Sequence, residues 1–323
     1  MPYDLANQKP YPANWQGYEP VQPSFLGTRI FEDYSLEKLV PYIDWTPFFI
    51  TWSLAGKFPA ILDDQKVGHA AKDLYKDATA MLDEIIACGS LKAKAVVGFW
   101  PAQRNHANDV TLWHKNKQDS PVATFHFLRQ QTVRGAGEPQ LCLADFIAPN
   151  ALDKQDYLGA FVVTAGIGAE ELAAKYEAEQ NDYNALMVKA LADRLAEAFA
   201  EHMHERVRKE LWGYQQEEAL SNEDLIKEAY EGIRPAPGYP ACPDHSEKEI
   251  LLKLLAAQDE IGVELTESYA MTPAATVSGF YFSHPDSKYF PVGKISEDQV
   301  SDLAERKGFP VDELSRLLSP NLN

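Results

Sequence analysis

The chain has 323 residues with a formal net charge of −18, 45% hydrophobic and 24% charged. This is the composition of a globular protein with room for a large core, and so acidic a balance argues against a nucleic-acid surface, which needs clustered Lys and Arg. No apolar run reaches the ~18 residues of a membrane span, and the N-terminus has no basic head before an apolar stretch. Cys88, Cys142 and Cys242 stand far apart without a CxxC pair, the pattern of reduced thiols in a cytoplasmic protein.

Residues 1–35, rich in Pro, Tyr, Asn and Gln and without a period, read as an N-terminal arm or linker ahead of a domain spanning 36–323. Aromatic residues crowd around Asp44 and Pro47. The spacing of Ala71, Leu74, Ala78, Leu82 and Ile85 predicts a helix over 65–87. The apolar run 93–102 suits a buried strand, 110–114 and 123–131 look like the arms of an antiparallel pair, and 156–168 is a further strand. From Asn181 a spacing of three and four through Tyr183, Leu186, Met187, Leu191, Leu195, Phe199 and Met203 predicts a helix of about thirty residues, roughly 45 Å long.

Ser246 and Glu249 have capping-box spacing before a short helix that Gly262 ends. Residues 275–284 and 288–295 read as strands joined by the turn "HPDS", and two short helices close the chain, with Ser296, Gly308 and Pro310 at their ends. Helices and strands mix without βαβ alternation, so the expected class is α+β with an antiparallel sheet.

Several short patterns fall short of the chemistry they hint at. "GIGAEE" (166–171) follows a strand, but Glu171 stands where a dinucleotide loop has its third glycine, and a carboxylate there repels a pyrophosphate. His202 and His204, two apart on a helix, point in different directions and cannot chelate one metal. No nucleophile elbow or phosphate-binding loop occurs, and nothing near Cys242 in sequence lowers its pKa. What remains is "RPAPGYPACPDHSEK" (234–248). Pro235, Pro237 and Pro240 fix three φ angles, Gly238 permits positive φ, Arg234 offers a planar fork for a carboxylate, and Tyr239 an aromatic face. Such a loop is either a ligand clasp for an amino acid or nucleoside or a rigid connector.

This loop, together with "PYIDWTPFF", "TWSLAGKFP", "LRQQ", "LADF", "MVKALADRLAEAFAE", "HERVRK", "LTES", "VSGFYFSHPDSKYF" and "DQV", resembles the C-terminal activation domain of cobalamin-dependent methionine synthases over almost the whole chain outside the arm. The resemblance implies a single C-shaped α+β domain around a twisted antiparallel sheet, with a non-Rossmann S-adenosylmethionine-binding fold. It implies reductive reactivation: S-adenosylmethionine gives its methyl group to cob(I)alamin, formed from inert cob(II)alamin by an electron from flavodoxin or a flavoprotein reductase. The expected ligands are thus S-adenosylmethionine and a cobalamin carried by the corrinoid-binding domain, with no nucleic acid and no membrane.

The resemblance gives Asp44 to the ligand's ammonium group and Arg234 to its carboxylate. Gly238 and Tyr239 line the ligand, Tyr289 and Phe290 contact its adenosyl part, and Glu197 and Glu228 are the nearby acids. It implies no general acid, base or covalent nucleophile and no metal ligand. A docking module for flavodoxin and the corrinoid domain is the alternative. The chain lacks a corrinoid-binding DxHxxG motif and a zinc-thiolate homocysteine site, so it reads as an excised piece or a separate subunit of a larger methyltransferase. An acidic flavodoxin needs a local basic face here, for which Arg206, Arg208 and Lys209 are candidates.

Overall fold

The structure, a computed structural model, describes residues 1–105, 108–115, 120–132, 135 and 137–322. Its centre is an antiparallel sheet. The strands are β1 (Gly27–Tyr34), β2 (Lys92–Arg104), β3 (Asp109–Trp113), β4 (Pro121–His126), β5 (Asp156–Ile167) and, after a short ribbon of β6 (Glu264–Leu265) with β7 (Met271–Thr272), β8 (Thr276–Tyr281). The order across the main sheet is β4-β3-β2-β5-β8, with β1 also paired to β2. The α+β reading therefore stands, and every strand pair of the sheet is antiparallel.

Both faces of the sheet are covered, which is why β2 and β5 read as continuous apolar runs rather than alternating ones. Ala95, Val97, Phe99, Phe161 and Val163 join one core with the helix Gly68–Cys88 and the long helix Asp182–Arg206. Val96, Trp100, Leu158, Ala160, Val162 and Phe280 join a second core with the helices Glu247–Leu254 and Glu297–Lys307. The long helix begins where Asn181 accepts a hydrogen bond from the Asn184 amide, and it runs on into a π-turn, Val207–Leu211. Tyr183 and Leu186 lie outside its buried stripe and are exposed.

Four expectations change. Residues 288–295 form no strand; Pro291 has no amide hydrogen to give a ladder. The hairpin arm at 123–131 keeps its strand only to His126, and part of its connector, 116–119, lies outside the described residues. Ser246 caps nothing, because its amide and hydroxyl both donate to Asp244. The arm lies against the body: Tyr3, Ala6 and Trp15 are buried, the Tyr3 and Tyr11 amides donate to Asp298 and Asp145, and its end is β1. No helix among the described residues is long and apolar enough to cross a membrane.

Candidate functional site

The proline-stiffened loop is held by β8. Ile233 and Phe282 exchange both backbone hydrogen bonds at 3.0 Å, and the Phe280 amide donates to Pro235 at 2.9 Å. A Cβ on Gly279 would stand 2.7 Å from the Pro235 carbonyl oxygen, so glycine is needed where strand and loop meet. Gly238 has φ +95° and its amide donates to the Cys242 carbonyl at 2.7 Å, closing a tight turn. Any side chain there would collide with the His245 ring. At the far side the Val292 amide donates to the Pro240 carbonyl, which ties the 289–291 segment to the loop. The loop therefore fixes Arg234 at one end and Tyr239 beyond its prolines.

Beside it lies a cavity of about 560 Å³ lined by Phe161, Val277, Pro235, Tyr239, Tyr289 and Phe290, with Glu197, Glu228 and Arg234 on its rim. A second cavity, about 240 Å³, is lined by Asp44, Tyr42, Arg194 and Glu201 and by the same Glu197, Glu228 and Arg234. The two spaces share these three lining residues, so an apolar space and a charged one lie side by side. Their combined size suits a nucleoside carrying an amino-acid tail.

Seven of the eight residues expected at a site thus converge. The eighth, Gly238, lines neither cavity and shapes the turn instead. Asp44 also acts locally, accepting a hydrogen bond from the Thr46 amide at 2.9 Å and capping the helix Trp45–Thr51. Glu228 sits at φ +55°, an uncommon conformation for a residue with a side chain. Tyr239 is 56% exposed at the mouth.

Arg234 is the centre of the charged end. Its Nη2 pairs with Glu201 Oε2 at 2.9 Å and its Nη1 donates to the Tyr230 hydroxyl at 3.2 Å. Its backbone amide donates to the Tyr289 hydroxyl at 3.0 Å, and the two tyrosine hydroxyls are 3.2 Å apart. Burial works against the Arg234 charge, but Glu201 and the neighbouring phenols more than offset it. Burial pushes the Glu197 carboxyl up, opposed by Arg194 and Arg234, and does the same to Glu201, opposed by Arg234 and Arg208.

Below them His204 lies fully buried and stacked on Tyr281, and burial holds it neutral. Cys242 is buried and its thiol is pushed up by that burial, which removes it as a nucleophile at neutral pH.

Sequence reasoning missed Glu201 and Tyr230. A signal existed for the first: Asp193, Glu197, Glu201 and Glu205 recur every four residues, which stacks carboxylates on one helix face where repulsion makes them costly without a reason. The suggested basic face fails. Arg208 is buried in a bidentate pair with Glu218, while Arg206 pairs with Glu210 and Lys209 with Glu205.

A family model described as "Vitamin B12 dependent methionine synthase, activation domain" matches residues 35–308. A solved structure of the MetH reactivation domain bound to AdoHcy is similar to this chain at 52% sequence identity and a TM-score of 0.96, over 99% of this chain and 98% of that one. With the family model covering most of its length, the chain belongs to the family of vitamin B12-dependent methionine synthase activation domains.

Proposed function

We propose that the two adjacent cavities bind S-adenosylmethionine and that the chain presents its methyl group to the corrinoid of methionine synthase, held by another domain or chain, to reactivate it. The observation that carries this reading is the meeting of one guanidinium fork, several carboxylates and an aromatic, proline-stiffened loop around these cavities. The chain is also 52% identical to a domain whose structure holds AdoHcy, the product left when S-adenosylmethionine loses its methyl group.

The charges are complementary. Arg234 receives the ligand's carboxylate in a charge-assisted pair. Asp44 and Glu228 receive its ammonium group, and Glu197, which borders both cavities, faces the sulfonium. Tyr289, Phe290 and Pro235 enclose the adenosyl end. Gly238 holds the turn that carries Tyr239, whose exposed ring meets the arriving corrin.

The reduced corrinoid supplies a strong nucleophile, and a sulfonium is an activated methyl donor. The chain's residues therefore need to position the donor and shield it, not to move protons. The electron comes from flavodoxin or a flavoprotein reductase, and the reaction belongs to the cytoplasmic synthesis of methionine.

The test is to mix the chain with the corrinoid-carrying domain, a one-electron reductant and S-adenosylmethionine, and to follow the visible spectrum. Methylcobalamin should form with the wild-type chain and not with Arg234→Ala. Equal formation without the chain would overturn the reading.

A further inference from the structure

Arg234 is already occupied in this structure. Glu201 holds Nη2 at 2.9 Å, in the position a ligand carboxylate would seek, and the Tyr230 hydroxyl holds Nη1. The Glu201 carboxylate is only 12% exposed and the Arg234 side chain 20%. Glu201 Oε1 is buried and meets no hydrogen-bond partner among the described residues. Within the described residues Glu201 thus rests on its pairing with Arg234.

The surroundings decide what happens when a second carboxylate arrives. On its own helix Glu201 has Glu197 one turn behind and Glu205 one turn ahead, with Arg208 in the π-turn that follows. From the segment after the helix Asn222–Ile226 it faces Glu228 and Tyr230. From β8 it faces Tyr281, and from the segment before the helix Trp45–Thr51 it faces Tyr42. Arg208 is committed to Glu218 by two hydrogen bonds of 2.7 Å. Arg234 is therefore the cation that Glu201 depends on, and a second carboxylate brought to this partly buried guanidinium raises the proton affinity of one of the two.

We propose that Glu201 is an internal rival for Arg234: a ligand that brings its own carboxylate to this guanidinium displaces Glu201 from it or makes Glu201 take up a proton from solvent. This rests on the S-adenosylmethionine reading of the site. The rivalry weakens binding of any ligand with an amino-acid carboxylate and leaves binding of the bare nucleoside thioether untouched. A site that must release its spent ligand gains from such a competitor.

The experiment is calorimetric titration of the whole chain with S-adenosylhomocysteine, in buffers of different ionisation enthalpy, at pH values from 6 to 8. Wild type and Glu201→Gln are compared, and 5′-methylthioadenosine, which lacks the amino-acid tail, is the control. Glutamine keeps the shape and can still accept from Arg234, so the fold is retained, and circular dichroism checks this. The expected result is that Glu201→Gln binds S-adenosylhomocysteine more tightly, by roughly tenfold, since one like charge is removed from beside the ligand's. Wild type should also take up a larger fraction of a proton than Glu201→Gln, and methylthioadenosine affinity should be equal in the two proteins.

Equal or weaker binding of S-adenosylhomocysteine by folded Glu201→Gln overturns the rivalry while the ligand site stands; tighter binding by the variant with identical proton uptake in the two proteins upholds it through displacement rather than protonation. Absence of binding by both proteins overturns the site reading and the rivalry together.

Discussion

Arg129 and Arg234, the first buried and the second one-fifth exposed, are housed in different ways. Arg129 lies where three of the short sequence patterns meet. Its guanidinium donates twice to Asp145 at 2.8 Å, to the Gln140 carbonyl and to the amide oxygens of Asn7 and Asn108. Its backbone exchanges hydrogen bonds with Gln299. All three guanidinium nitrogens are used, and Asp145, fully buried, also pairs with Arg104. Arg129 also borders a space, of about 230 Å³, yet keeps every guanidinium nitrogen bonded, whereas Arg234, between two cavities, has one carboxylate and one phenol. Around it, Glu201, His204, Arg208, Tyr214 and Tyr281 each have a buried polar atom without a partner among the described residues. A closed network of this kind fixes packing. An open one, costly by itself, is what a ligand can complete.

Substitutions can separate the two kinds of network. The largest effect belongs to the closed one: Asp145→Ala strands the Arg129 charge and should cost about 3–5 kcal/mol in urea denaturation, with ligand affinity unchanged in whatever remains folded. A loss below about 1 kcal/mol would deny that network its structural role.

Next comes a group near it. Full burial pushes the Asp156 carboxyl up from 3.8 to about 7, against two backbone amides that favour its charge. The folded state thus holds a proton that the unfolded chain has lost. The contribution to stability is complete below about pH 4 and is lost as the pH rises through about 7. Between those values the slope is at most about 1.4 kcal/mol per pH unit. Denaturation series in wild type and Asp156→Asn should differ by this slope, and parallel pH profiles would contradict it.

The smallest stability effect lies in the loop. Gly238→Ala puts a Cβ at φ +95° against the His245 ring and should cost about 1–3 kcal/mol. It should weaken ligand binding as well, because the turn carries Tyr239.

The parts of the fold that were legible in sequence are those whose signal is local. The apolar runs of β2 and β5 and the period of the long helix need no knowledge of neighbours. The 234–248 loop is legible because prolines and glycine restrict backbone wherever they stand. Apart from the strand at 288–295, which Pro291 breaks, the misses come from competition by a partner distant in sequence or by a neighbour that took the bond first. Asp244 captures Ser246 before it can cap a helix, and Glu218 draws Arg208 out of the basic face expected at "HERVRK". Glu201 shows its part only when Arg234 is seen opposite it. Arg129 and Asp145 stood in patterns that carried the family resemblance, yet only the structure shows that they meet.

Everything proposed for the open network depends on Arg234 anchoring a ligand shared between the two cavities. The decisive experiment is calorimetric titration of the wild-type chain and of Arg234→Ala with S-adenosylhomocysteine at one pH and salt concentration. Wild type should show saturable one-to-one binding. A folded Arg234→Ala should lose at least roughly thirtyfold in affinity, the cost of removing one side of a buried charge pair. Unchanged affinity in that variant would contradict the anchoring role of Arg234.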